Sequence, residues 1–238
     1  MGTIHFIGGE KGGVGKSFTA RLLAQYLVDT HRAMVGFDTD LSHSTFTRFY
    51  AQFCESLNVA DFESLDSIVE TANENSDQHL VVDLAAQTAA KLNDWLTDCD
   101  FFSLMAELNY KVFYWHVMDD SADCVRLLDK LLSRFDHENV QVVVVQNFGR
   151  GANFLPFEHT AVFEQVKRQN GHIVKLPALH AALAQKIDFN NYSFWAAAHS
   201  RHVMKITELQ RTKTWLKQAY EQIDPLFVSI PEQESEPA

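Results

Sequence analysis

The chain has 238 residues, 46% hydrophobic and 21% charged, with only 10 Gly and 5 Pro; this is globular composition, long enough for one ordinary domain and wrong for a disordered or low-complexity chain. Twenty Lys and Arg face 31 Asp and Glu, a formal charge of −11, so the surface as a whole is no nucleic-acid-binding field and any such contact has to be local. Cys54, Cys99 and Cys124 are widely spaced with no CxxC pair, as expected of buried small side chains in a reducing cytoplasm. The start MGTIHFIGG has no basic stretch before an apolar core, so no secretory leader is expected, and no apolar run nears the roughly 20 residues that cross a bilayer.

Short β-branched or aromatic runs alternate with longer amphipathic stretches, the pattern of a mostly parallel α/β sheet with helices on both faces. A strand is expected over 3–8, then a glycine-rich loop and a helix over 17–29 with Leu22, Leu23, Tyr26 and Leu27 on one stripe. Further strands are expected over 33–37, 79–83, 111–117, 141–146 and 172–175, and helices over 61–75, 88–97, 121–135 and 160–169. The pattern is then helical from about 178 to 220, broken around 188–191. One domain is expected over 1–225, and 226–238, which closes on PEQESEPA, reads as an acidic, disordered tail.

The loop after the first strand is Glu10-Lys11-Gly12-Gly13-Val14-Gly15-Lys16-Ser17. Its glycines allow successive amides to point inward at a helix N-terminus, a nest for a polyphosphate. Lys16 would reach the β- and γ-phosphates and the Ser17 hydroxyl would ligate Mg²⁺. The strict GxxxxGK[ST] pattern is not met, because Glu10 stands where its first glycine belongs. The second strand ends Phe37-Asp38-Thr39-Asp40, placing two carboxylates at the sheet edge where α/β ligands sit; a turn or a helix cap is the plain alternative. The strand 79–83 ends in Asp83, positioned to hold a Mg²⁺-bound water.

With its second lysine, Lys11, five positions before Lys16, the loop resembles the deviant Walker A motif of the ParA/MinD family of dimeric P-loop ATPases. The resemblance runs over about residues 3–190 and implies a single-domain P-loop NTPase fold binding ATP with Mg²⁺. It implies that Gly12, Gly13, Val14, Gly15, Lys16, Ser17 and Phe18 hold the nucleotide, and that Lys11 reaches the phosphates of a partner copy's nucleotide in an ATP-bound homodimer. A contact in cis or a solvated Lys11 is the alternative. Ser17, Asp38 and Asp83 are implied around Mg²⁺, Asp38 through water, with Asp40 positioning the attacking water. Asn147 would hydrogen-bond adenine, and the loop at Pro177 would wall the base with main chain. The chain departs from the family after Asp83, where Leu84-Ala85-Ala86-Gln87-Thr88 replaces a short segment ending in proline; Gln87 or Thr88 either caps the next helix or contacts the switch. Overall length, KGGVGKSF, FDTD and the PAL segment before the C-terminal helices look most like the plasmid transfer and stability branch, the TraL and StbB proteins. The implied function is a slow switch ATPase, stimulated by a partner protein, in plasmid partition, maintenance or conjugative transfer.

Iron proteins that share this loop bridge their dimers with cysteine-held clusters, and Cys99 and Cys124 lack the glycine-rich ligand loops this requires. His199 and His202, three apart on an expected helix, lack a third metal ligand. The acidic C-terminus lacks the basic amphipathic helix that docks some members on membranes, so no membrane partner is expected. Between 199 and 217, Arg201, Lys205, Arg211, Lys213 and Lys217 oppose one acid, Glu208. They would form the basic face of a helix whose apolar stripe is Val203, Ile206, Leu209, Leu216 and Tyr220, either solvated or a non-specific DNA track. Arg150, in a glycine-rich turn, has no assigned role beyond it. Two other functions stay open: a nucleotide-dependent scaffold with little turnover, and a small-molecule kinase on the same loop.

Overall fold

The computed structural model describes residues 1–135 and 139–227. In chain order it forms β1 (Thr3–Gly8), α1 (Lys16–Asp29), β2 (Met34–Asp38), α2 (Thr45–Phe49), β3 (Cys54–Ser56), α3 (Phe62–Glu74), β4 (His79–Asp83), α4 (Ala89–Asp98), α5 (Phe101–Glu107), β5 (Lys111–Met118) and α6 (Ala122–Arg134). There follow β6 (Val140–Asn147), α7 (Leu155–Glu158), α8 (Ala161–Arg168), β7 (His172–Leu176), α9 (Ala181–Phe189), α10 (Phe194–His199) and α11 (Ile206–Ile223), closed by a 3-10 turn, Asp224–Leu226. The strands make one seven-stranded sheet in the order β3-β2-β4-β1-β5-β6-β7, every neighbour pair parallel. Every residue of β1 and β4 is buried, which requires cover on both faces and explains their near-continuous apolar text. Register brings Ile7 and Asp38 alongside Asp83, and Gly8 alongside His116, so the carboxyl ends of β1, β2, β4 and β5 meet at one edge.

The α/β class and the expected elements are present, with additions. β3, a three-residue strand at the sheet edge, and α2 and α7, each about one turn, are too short to show a period. The stretch after α4 turns at Asp100, in the left-handed region at φ +46°, and starts a separate helix, α5. The C-terminal region breaks twice, and the second break separates His199, the last residue of α10, from His202 in the following turn. The two histidines therefore do not share the helix expected of them. Cys54 and Cys124 are buried as expected, whereas Cys99 is half-buried, its thiol donating to the Trp95 carbonyl at 3.2 Å. Ile206, expected on the apolar stripe, is 68% exposed; α11 instead buries Leu209, Thr212, Trp215, Leu216, Ala219 and Ile223. The packed chain continues to Phe227, and 228–238, most of the expected tail, lie outside the described residues.

At the amino end of the sheet a buried polar relay runs across three strands. The Trp115 indole N–H donates to His5 Nδ1 (3.1 Å), so His5 carries its proton on Nε2 and donates it to the Thr3 hydroxyl (2.7 Å). The hydroxyl in turn donates to His79 Nδ1 (2.6 Å). Both imidazoles are thereby neutral, and burial holds His5 well below the usual histidine range and His79 at about 4. The Phe227 ring closes this end, 5.5 Å from His5 and 5.7 Å from His79.

On the other flank of α1, Arg21 is 2% exposed. Its guanidinium lies 3.4 Å from the Phe49 ring centroid and 5.2 Å from that of Phe194, and it pairs with Asp188 at 3.3 Å. The cation thus binds α1 to α2, α9 and α10.

Candidate functional site

β1 delivers the chain into a loop whose conformation only glycine adopts comfortably. Gly13 has φ +77° and Gly15, at the N-terminus of α1, φ +103°. A side chain at Gly12 or Gly13 would project into open space, so the cradle is bounded by backbone on one side and free on the other. Lys16 is 8% exposed and spends one of its three N–H donors on the Lys11 carbonyl (3.2 Å). Burial lowers its pKa, against the pull of Asp83, Glu10 and Asp40. A phosphate would restore to this ammonium the solvation that burial removed.

Asp83 is the counterpart of that cation. It is 2% exposed and neither carboxylate oxygen has a hydrogen-bond partner. Burial pushes its pKa up to about 7, with the Ser17 side chain and Lys16 favouring the charged form and Asp38 and Asp40 opposing it. An orphaned buried carboxylate beside a serine hydroxyl at the mouth of a phosphate cradle is the hard-oxygen donor set that suits Mg²⁺. The residues present fit the ion.

The two carboxylates of Asp38-Thr39-Asp40 are both held by the loop they begin. Asp38, 1% exposed, accepts from the amides of Asp40 (3.0 Å), Phe46 (2.8 Å) and Thr47 (3.0 Å), so it also caps the first turn of α2. Asp40 Oδ1 accepts from the Ser42 hydroxyl (2.6 Å) and from the Ser42 and His43 amides (3.1 Å each). Although burial works the other way, the bonds from Ser42 and His43 hold its pKa below the usual range. Thr39, unremarked in the sequence, ties this loop to β4. Its hydroxyl donates to the Asp83 carbonyl (2.9 Å) and accepts from the Ala85 amide (2.8 Å). In the divergent segment beyond, Gln87 sits in the left-handed region at φ +64°. Thr88 stands at the N-terminus of α4, its hydroxyl donating to the Ala85 carbonyl (2.8 Å) instead of accepting from the helix.

Lys11 makes its contacts within its own chain. Its ammonium donates to Asp119 (2.5 Å) and to the Ser121 hydroxyl (2.9 Å). The bond to Asp119 raises the lysine's pKa. Burial opposes it, but hydrogen bonds from Lys11, Ser121 and Cys124 hold Asp119 well below the carboxylate range. Asp119 was missed because nothing local marks it; only the fold carries it to a lysine 108 positions away.

Asn147, expected to meet the base, donates from Nδ2 to the Val14 carbonyl (2.8 Å) and accepts at Oδ1 from the Gly149 amide (2.9 Å). The Pro177 carbonyl accepts from the Trp215 indole (2.8 Å), and Phe18, at the start of α1, packs edge-on to Trp215 at 5.4 Å. Trp215 therefore joins the first turn of α1 to the Pro177 segment, and with Ala178, Leu179, His180 and Arg211 it lines a surface groove. The expected basic face of α11 is divided. Arg211 lines that groove, while Lys213 and Lys217 line another beside Asp29, Glu221 and Asp224. Arg150 contributes its amide to a turn onto the Asn147 carbonyl (2.9 Å). Among the described residues no cluster of three or more His, Cys, Asp or Glu could hold a metal, and no helix is long and apolar enough to cross a membrane.

Residues 5–188 match the family described as CobQ/CobB/MinD/ParA nucleotide binding domain. Protein MobD of Acidithiobacillus ferrooxidans is 23% identical over 221 residues, covering 92% of this chain and 96% of MobD. Protein TraL of Escherichia coli is 28% identical over 194 residues, covering 75% of this chain and 78% of TraL. Among solved structures, the septum site-determining protein MinD of Pyrococcus horikoshii in complex with Mg-ADP superposes with a TM-score of 0.55 at 13% identity, covering 97% of this chain and 100% of that one. The fold is thus shared well beyond sequence similarity.

Proposed function

The chain belongs to the CobQ/CobB/MinD/ParA nucleotide binding domain family, and on that premise we propose that it is an ATP-driven switch. It would bind ATP with Mg²⁺, close into a homodimer around two nucleotides, and hydrolyse them slowly until a partner protein completes the site. The observation that carries this reading is the orphaned Asp83 carboxylate beside an open glycine cradle and a desolvated lysine. A fold that leaves such capacity unused at its ligand-binding edge is built for an occupant.

In this reading the amides of residues 12–17 and Lys16 bind the phosphates, Phe18 and the Pro177 segment flank the nucleoside, and Ser17 and Asp83, with Asp38 through water, hold Mg²⁺. When bound, the ion neutralises phosphate charge. Asp40 orients the attacking water. Lys11 leaves Asp119 and inserts beside the partner copy's phosphates, stabilising charge that develops on transfer. The pathway implied by the resemblance to TraL is plasmid partition, maintenance or conjugative transfer.

Titration calorimetry with ATP and Mg²⁺ and light scattering with and without ATP test the proposal together. We expect binding to depend on Mg²⁺, the mass to double with ATP, and Lys11→Ala to abolish only the doubling. A chain that binds ATP as a monomer under all conditions would point to the kinase instead. The engagement of both Asp38 and Asp40 by loop amides favours one second reading, a nucleotide-dependent scaffold with little turnover. Phosphate release no faster than in Asp40→Ala, with or without DNA, would select it.

A further inference from the structure

Asn147 sits at the carboxyl end of β6 with its side chain 4% exposed. Its backbone is fixed by a turn in which the amides of Arg150 (2.9 Å) and Gly151 (3.0 Å) donate to its carbonyl. From this anchor the side chain reaches back 133 positions to the phosphate loop. Nδ2 donates to the Val14 carbonyl (2.8 Å), and Oδ1 is held by the Gly149 amide (2.9 Å). The fit is close, since a Cβ at Gly15 would collide with Nδ2.

The Val14 carbonyl and the Gly15 N–H belong to one planar trans peptide unit and so point in opposite directions. Whatever fixes the carbonyl therefore aims the amide. We infer that Asn147 is a positioning residue for the phosphate loop: it holds the Val14–Gly15 peptide so that the Gly15 N–H faces the phosphates, and its effect on binding is independent of the base. The inference rests on the nucleotide-binding reading above and adds a role for Asn147 different from recognition of adenine.

Inorganic tripolyphosphate, ADP and GDP, each with Mg²⁺, separate the two roles when titrated into the wild-type chain and Asn147→Ala well below the melting temperature. The brace predicts that all three affinities fall by the same factor, about tenfold, since one buried carbonyl loses its donor and one cradle amide loses its aim. In the ligand-free variant, hydrogen exchange at residues 14–17 should also quicken. If tripolyphosphate affinity is unchanged and only ADP weakens, Asn147 reads the base and the inference fails. It fails equally if the variant melts lower but binds all three normally. Should Asn147→Ala not fold, the near-isosteric Asn147→Leu removes the same bonds while keeping the volume. If the wild-type chain binds none of the three, the nucleotide reading has failed, and ligand-free exchange alone decides whether the brace exists.

Discussion

β4 begins at His79 and ends at Asp83, and its two ends treat a buried polar side chain in opposite ways. At the amino end His79 closes a relay in which the ring nitrogens of His5, the Thr3 hydroxyl and the Trp115 indole meet in a single consistent direction. At the carboxyl end Asp83 is as deeply buried with both oxygens bare. One five-residue strand joins a satisfied network to an unsatisfied one. Unpaired groups in a low-dielectric interior cost stability, so the carboxyl edge trades stability for capacity to bind, while the amino edge spends its polar groups on holding the sheet.

Substitutions at the two edges should therefore part function from stability. The largest effect is expected for Lys16→Ala, which should weaken ATP binding by about a hundredfold through loss of charge-assisted hydrogen bonds and move the ligand-free melting temperature little, by calorimetry and thermal melts. Thr3→Val at the other edge should do the reverse. It leaves a donor on His5 and an acceptor on His79 unpaired, costing about 2–3 kcal/mol in denaturant unfolding, with nucleotide affinity retained. Asp83→Asn should stabilise the ligand-free chain by about 1–2 kcal/mol near neutral pH, the desolvation it relieves outweighing the counter-charge it takes from Lys16, and remove the Mg²⁺ dependence of binding. A destabilised Asp83→Asn chain would mean that the carboxylate is paired after all and break the contrast.

A further contrast lies in the pH profile, where the edges have opposite signs. Asp83, raised to about 7 in the folded chain, binds more protons folded than unfolded, so its contribution to stability falls as pH rises from about 4 to about 7. His79, lowered to about 4, and His5, lowered by burial, bind fewer protons folded. Their contribution is complete above about pH 6.5 and is lost as pH falls toward 4, by at most about 1.4 kcal/mol per unit for each histidine. The gain from Asp83→Asn should accordingly vanish near pH 4 and reach its full size once the pH passes about 7, and the variant should show a steeper acid limb than the wild-type chain.

Most of the sheet was legible because its central strands announce themselves. Strands expected at 3–8 and 79–83 end where β1 and β4 end, and the glycine loop sits between β1 and α1 as its letters require. What stayed hidden depends on distance along the chain. β3 pairs only through Gly36, Phe37 and Asp38 and has no period of its own. Asp119, Thr39 and Trp215 acquire their parts only when folding sets them beside Lys11, Asp83 and Pro177. The five cations expected on one basic helix face do not form it, because Arg201 and Lys205 precede α11 and its remaining three divide between two grooves, Arg211 in one and Lys213 and Lys217 in the other. Asn147 was expected to meet adenine from its place at a strand end, and its bonds to Val14 and Gly149 are visible only in three dimensions.

Arg21, sealed among Phe49, Phe18 and Phe194, is a charge that neither salt nor solvent reaches easily. Raising the ionic strength would loosen its pair with Asp188, whose side chain is 64% exposed, but leave its stacking on Phe49 and Phe194, and so the tie from α1 to α2 and α10, in place. The outward-facing Trp195, next to Phe194 in α10, is thereby fixed in place relative to the helix that follows the glycine loop.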